Sequence, residues 1–210
     1  MKKIISLFLF FSLIQSVFSQ DVEDIIEEVQ DKYEKLSDIQ ASFKQVENFK
    51  LTGSVNETVG NIYIKDGSMY KFTNDDQTIV TDGETVWTFN AISKQLIIDK
   101  VRKNSGAFLP RDMLFKYPKE YYSTLLNQEK WNDKKVYVIK LDPRDSVYGY
   151  VKSMKIWVED KQWLIHKVET TDLNDNVSIF EIFNIKLNQK LKNSFFNFAP
   201  TEGMNVVDMR

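Results

Sequence analysis

The sequence predicts a mostly β, α+β protein: one N-terminal amphipathic helix followed by a long antiparallel meander. Three observations predict it. Residues 22–36 carry a single apolar stripe at helical spacing. From Ala41 onward the apolar period shortens toward two. Strand-like runs rich in Val, Ile, Thr and aromatics then recur between Asp-Gly and Asn-Asp turns, 8–12 residues apart. Only seven Gly and four Pro stand against four Trp, nine Tyr and fifteen Phe, a balance that favours strands joined by tight turns over loop-rich designs.

The helix comes first. Val22, Ile25, Ile26, Val29, Tyr33 and Leu36 fall on one face. Asp21 suits the N-cap, and Glu23 and Asp24 suit the positive end of the helix dipole. Strands are expected within 57–65, 69–72, 77–90 and 94–99, with Asp66-Gly67 and Asp82-Gly83 as turns, the latter read as a two-residue type I′ hairpin. The segment 104–126 interrupts the pattern. Leu109, Pro110, Met113, Leu114 and Phe115 predict a short, very apolar helix with few charges, ended at Pro118. The run at 120–127 fits either a second short helix or a strand. Four long strands follow at 134–142, 151–160, 162–172 and 176–188. Turns are expected at Asn132-Asp133, Asp142-Pro143, Asp160-Lys161 and Asn174-Asp175. Several strands are apolar on both faces, so either both faces are covered or one lines an apolar cavity.

Residues 1–19 read as a secretory signal peptide: Lys2 and Lys3, an apolar run from Ile4 to Ile14, then Val17 and Ser19 at a small-residue cleavage site before Gln20. The run falls short of the roughly 20 residues that span a bilayer. Residues 20–210 are expected to form a single domain. Net charge is −2 for the 210 residues; losing residues 1–19 removes two lysines and no acid, which leaves −4. No basic face for nucleic acid is expected from that balance.

Composition also limits the chemistry. With no Cys and one His, thiol catalysis, disulfides, thiolate zinc and multi-His metal sites are excluded. No Gly-rich phosphate loop or Gly-x-Ser-x-Gly elbow occurs. His166 lies in a strand, and catalysis would require an orienting acid and a nucleophile beside it. Residues 172–176 begin like a calcium loop, but Val177 and Phe183 stand where Gly and Glu are needed, so a plain turn is expected. Thirty acids would allow a carboxylate-pair hydrolase without singling out a pair. No catalytic residue, cofactor or metal is assigned. The distinctive feature is the apolar surplus. Any one of Phe43, Tyr63, Tyr70, Phe72, Ile79, Trp87, Phe89, Trp157, Phe180 and Phe183 fits a plain hydrophobic core; as a set, beside an apolar mid-chain helix, they point to an apolar ligand cavity.

Four strings, in order, carry a resemblance: IQASFKQV (39–46), GNIYIKDGSMYKF (60–72), IVTDGETVWTFN (79–90) and FNFAPTEGMNVVD (196–208). Together they resemble the outer-membrane lipoprotein carrier (LolA) family, across essentially the whole chain after residue 19. The resemblance implies an unclosed antiparallel β half-barrel with helices as a lid over an apolar cavity. It implies a periplasmic, non-enzymatic carrier that shields acyl chains of lipoproteins. Such a carrier takes its cargo from an inner-membrane ABC-type extractor and passes it to the outer membrane. On that reading Phe43, Tyr63, Tyr70, Phe72, Ile79, Trp87, Phe89, Trp157 and Phe183 line the lipid cavity, with Leu109, Met113, Leu114 and Phe115 in the lid. Where family members carry an Arg beside a Pro after the second strand, this chain has Lys65, Asp66 and Gly67; Tyr70 keeps the aromatic that follows. Lys65, Asp66 and Tyr70 thus mark the hand-off turn, and the missing Arg leaves the outer-membrane acceptor open. A monomer is expected, because the cavity must face two successive partners. Two alternatives share the fold: a carrier of another lipid, such as a glycolipid or lipid ester, and a lipoprotein-sensing envelope-stress domain, which usually carries a second domain.

Overall fold

The computed structural model describes residues 21–66, 68–101, 121–144 and 151–210. Helix α1 (Val22–Glu34) opens the fold, capped by Asp21, whose carboxylate accepts from the Glu23 amide. Eleven of the strands follow in order: β1 (Asp38–Asn48), β2 (Val55–Lys65), β3 (Met69–Asn74), β4 (Gln77–Thr81), β5 (Thr85–Asn90), β6 (Gln95–Lys100), β7 (Tyr121–Trp131), β8 (Lys134–Pro143), β9 (Val151–Glu159), β10 (Ile165–Asp172) and β11 (Val177–Leu187). A 3-10 turn, η1 (Asn193–Phe196), precedes β12 (Asn205–Asp208).

The twelve strands among the described residues form one open sheet, in the order β12-β6-β5-β4-β3-β2-β1-β11-β10-β9-β8-β7. Neighbours are antiparallel except β12, which pairs parallel to β6. β1 and β11, the first and last long strands, are thus joined at the centre, and among the described residues β7 and β12 are the outermost strands. The expected unclosed, mostly β architecture with an N-terminal helix is observed. The expected lid helix, with Leu109, Met113, Leu114 and Phe115, lies outside the described residues, as does the expected signal peptide.

Two local expectations need correcting. The last ladder pair between β4 and β5 is Thr81–Val86, so this loop is longer than a two-residue type I′ hairpin: Gly83 is left-handed at φ +99° and Asp82 is not. The Asp82 carboxylate instead accepts from the Glu84 and Thr85 amides, an Asx turn that fixes the longer loop. Asp142-Pro143 is not a turn, because β8 runs on through Pro143, opposite Tyr121. Residues 121–131 are strand, which settles the open choice at 120–127. By contrast, Asn132 and Asp133 both adopt positive φ and join β7 to β8 through a two-residue turn.

Alternation along the strands creates two apolar faces. On one, Ile25, Ile26, Val29 and Tyr33 of α1 pack against Ile39, Ala41, Phe43, Ile62, Ile64, Tyr70, Phe72 and their row-mates on β8–β11. On the other, Val80, Trp87, Leu96 and Ile98 pack under Phe196, with Leu191, Phe195 and Phe198 beside it. This second face is covered by a strap, residues 188–204, fastened at its start. The buried Asp38 carboxylate accepts from the Gln189 amide at 2.7 Å and the Leu191 amide at 3.2 Å. Lys65 Nζ donates to the Leu191 carbonyl at 2.7 Å. A third cluster on this side joins Val136, Val138 and Trp157 to Trp131.

At the far ends of β1 and β10 the loops are knitted together. Lys152 and Lys50 each donate to Asp175 at 2.7 Å, and the Lys50 amide donates to Asn176 Oδ1 at 3.0 Å.

Two expectations follow. The Ile165 amide donates to the Tyr33 hydroxyl at 3.1 Å, a buried bond that pins α1 to the sheet. Tyr33→Phe orphans that N–H and should lower stability by roughly 1–3 kcal/mol, measured by urea unfolding; no loss would show that the bond does not hold the helix. Lys152 and then Lys50 hold the exposed Asp175 carboxyl down at about 2. A depressed carboxyl pKa means the clamp is present above the ordinary carboxylate range and is lost as pH falls through about 2. A 13C NMR titration of Asp175 should show this midpoint, with no change near neutrality.

Candidate apolar binding face

The side chains picked from the sequence divide between the two faces. Phe43, Tyr70 and Phe72 lie on the helix-covered face, and Ile79 packs against the same cluster. Phe43 stacks on Phe72 with centroids 4.6 Å apart and meets Phe180 at 6.0 Å. Gly60 sits opposite Phe43 in the ladder, and a Cβ there would come within 2.7 Å of the Phe43 ring, so the glycine makes room for it. Tyr63, Trp87 and Phe89 belong to the strap side: Tyr63 meets Phe195 edge-on at 4.8 Å, and Phe89 meets Phe198 at 5.5 Å. Trp157 joins the third cluster, where it donates to Glu129 at 2.6 Å and lies under the Lys167 ammonium. Phe183 is solvent-exposed.

The reason for the division is register. Ile62 pairs with Phe72 and Ile64 with Tyr70, so Ile62 and Ile64 share the helix face while Tyr63 faces away beside Lys71. Sequence reasoning therefore missed Ile62, Ile64, Ile139 and Leu141, all buried beneath the helix side. Alternation around Tyr63 and Tyr137 was the available signal. It also missed Asp38, whose role depends on amides 151 and 153 residues away; nothing local marks it.

The turn residues behave differently from one another. Asp66 is left-handed at φ +49°, and its amide donates to the Ser37 carbonyl. Lys65 spends its ammonium on the strap carbonyl of Leu191. Tyr70 is buried on the helix face one residue past the start of β3.

Ionisable groups gather elsewhere. His166 Nε2 lies 2.6 Å from Glu159, which also pairs with Lys134 at 2.9 Å. Burial pulls the Glu159 carboxyl upward, but the Lys134 and His166 contacts outweigh it and leave it below the ordinary glutamate range. This cluster sits at one end of the strands; the residue before His166, Ile165, donates its amide to the buried Tyr33 hydroxyl on the other face, and burial pushes that hydroxyl far above the usual tyrosine value. Among the described residues no group of His, Asp and Glu is arranged to hold a metal. What the helix-covered face can do is bury apolar surface: it presents rings and branched aliphatics under one thin helix. The described side chains fill it closely; Ile25, Ile139 and Leu141 have no exposed surface. One cleft of about 710 Å³ lies at the β5–β6–β12 edge, lined by Glu84, Thr85, Lys100, Val101, Asp208 and Arg210, and a cleft of about 380 Å³ lies along β1–β3 beside Phe43 and Gly60.

Comparison with known proteins places this arrangement. The outer-membrane lipoprotein carrier protein of Francisella tularensis subsp. novicida is 25% identical over 217 aligned positions, covering 99% of this chain and 98% of the relative. The carrier of Haemophilus influenzae is 25% identical over 89% of this chain and 88% of its own length. Among solved structures, an uncharacterized conserved protein from Thermus thermophilus shares the fold at a TM-score of 0.60 and 11% identity, over 89% of this chain and 98% of that one. MucB shares it at 0.53 and 13% identity, over 87% of this chain and 64% of MucB. Residues 34–199 match the family described as outer membrane lipoprotein carrier protein LolA. That match takes in the whole sheet from β1 to β11 together with the strap's aromatic residues, and the chain belongs to the LolA family.

Proposed function

We propose that this protein is a periplasmic carrier of acylated lipoproteins, receiving them from an inner-membrane ABC-type extractor and delivering them to the outer membrane, as a monomer and without covalent chemistry. The observation that carries the reading is the helix-covered face: a broad apolar surface spanning β1–β3 and β8–β11, closed by four apolar side chains of α1, in a member of the LolA family.

The physical demand is plain. Each methylene transferred to water costs about 0.8 kcal/mol, so a 16-carbon chain resists desorption by roughly 12 kcal/mol. A carrier has to offer equivalent apolar surface. It also has to release the chain, so binding has to be offset. A face already packed in the empty protein provides the offset: acyl carbons replace contacts of Ile25, Ile26, Val29 and Tyr33, and only the difference appears as affinity. Phe43, Phe72 and Phe180 supply flat, chain-tolerant surface. Tyr63, Trp87 and Phe89 hold the strap instead, which keeps the sheet's other face closed throughout the cycle.

The mature chain should bind a fluorescent palmitoyl probe, and a tripalmitoylated lipopeptide should displace it. A chain that binds neither contradicts the carrier reading. Tyr70→Glu sets a carboxylate against Ile64 on the binding face. It should weaken acyl-probe binding at least tenfold, about 1.4 kcal/mol, and impair transfer from the extractor in a reconstituted assay. Wild-type affinity and transfer together would remove Tyr70 from the site.

A further inference from the structure

The strands have two ends, and their turns differ in kind. At one end lie the β1–β2 loop (49–54), the β3–β4 turn (75–76), the β5–β6 turn (91–94) and the β10–β11 turn (173–176). Among the described residues, the three most exposed large hydrophobic side chains are Leu51 at 96%, Ile92 at 78% and Leu173 at 65%, and each sits on one of these turns. The turns at the opposite end, residues 66–68, 82–84, 132–133 and 160–164, carry no exposed aliphatic or aromatic side chain among the described residues.

These apices are not frayed. The Phe49 amide donates to the Ser54 carbonyl at 2.9 Å and the Gly53 amide to the Phe49 carbonyl at 2.8 Å, with Gly53 left-handed at φ +68°. Lys50 ties this loop to the turn that bears Leu173. The Ala91 amide donates to the Asp76 carbonyl at 2.8 Å, which ties the Ile92 turn to its neighbour. Single exposed leucines are ordinary. Three branched aliphatics, each held outward by a hydrogen-bonded turn and all at the same end, have no folding rationale.

We infer that this end is a membrane-contacting rim, on which Leu51, Ile92 and Leu173 enter the surface of a phospholipid bilayer. Separate convex knobs on separate turns match a deformable apolar phase better than the shaped surface of a protein partner. Charge agrees. The opposite turns carry Asp66, Asp82, Glu84, Asp133 and Asp160 against Lys161, which an anionic surface repels. The apolar end sets Lys50 and Lys94 against Asp75, Asp76 and Asp175. On the helix-covered side, the central strands also turn polar toward this end, through Gln45, Glu47, Thr58, Thr170 and Ser178, in the rows beyond Phe43. The inference rests on the carrier reading and adds where the cargo leaves: a bound lipid's polar head would emerge at the rim that touches the bilayer.

The chain has no cysteine, so introduced thiols report cleanly. Thr52→Cys, Ser93→Cys and Asn174→Cys place an environment-sensitive fluorophore beside each apex, and Asp133→Cys places one at the opposite end. With vesicles of phosphatidylethanolamine and phosphatidylglycerol, the first three should shift to the blue and brighten, and the fourth should not. Leu51→Asp, Ile92→Asp and Leu173→Asp should each lower vesicle partitioning about tenfold while leaving palmitoyl-probe affinity unchanged. Equal responses at all four labels, or none, overturn the rim. Loss of palmitoyl binding by the wild-type chain instead overturns the carrier reading, so the two failures are distinguishable.

Discussion

A β-sheet that is apolar on both faces cannot be left in water, and the rest of this structure follows from how each face is covered. The two covers are fastened differently. The strap is bonded into the sheet by the Asp38 carboxylate, by Lys65 and by the parallel pairing of β12 with β6, and it inserts Phe195, Phe196 and Phe198 among the rings beneath it. The helix is laid on its face by Ile25, Ile26, Val29 and Tyr33, with the Tyr33 hydroxyl accepting the Ile165 amide. A cover held mainly by non-directional burial can be exchanged for another apolar body of similar area. A cover held by buried, charge-assisted hydrogen bonds cannot be exchanged without orphaning them.

This difference gives each aromatic group its place. Those under the strap belong to the permanent structure. Those under the helix, Phe43, Phe72 and Phe180 with Tyr70, form the surface that the proposed carrier function assigns to the acyl chain. The ionisable cluster of Lys134, Glu159 and His166 joins strand ends and satisfies a largely buried carboxylate.

Much of the fold was legible in the sequence because its signals are local. The stripe through Val22, Ile25, Ile26, Val29 and Tyr33 marks the helix, and Asn132-Asp133 marks a tight hairpin, each without reference to distant residues. The site was only partly legible. Choosing cavity residues by size grouped Tyr63 with Tyr70 and Phe72, but a one-residue step in register sends Tyr63 to the other face and brings Ile62 and Ile64 in. Pairing is a long-range property, and so is the strap's anchorage at Asp38. The turn at Asp82-Gly83 departs from the expected type because the Asp82 side chain captures two amides, an outcome that dipeptide identity alone does not decide. The chain's membership in the LolA family was carried by four strings whose order, more than any one residue, is distinctive.

The central claim is that acyl chains take the helix's place on its face while the strap stays closed. Amide hydrogen exchange on the mature chain, with and without a tripalmitoylated lipopeptide, tests it most directly. The account predicts faster exchange along Val22–Glu34 and at the Ile165 amide once cargo is bound, with the Gln189 and Leu191 amides unchanged. Unchanged or slower exchange in the helix, with the response confined to the strap, would contradict it.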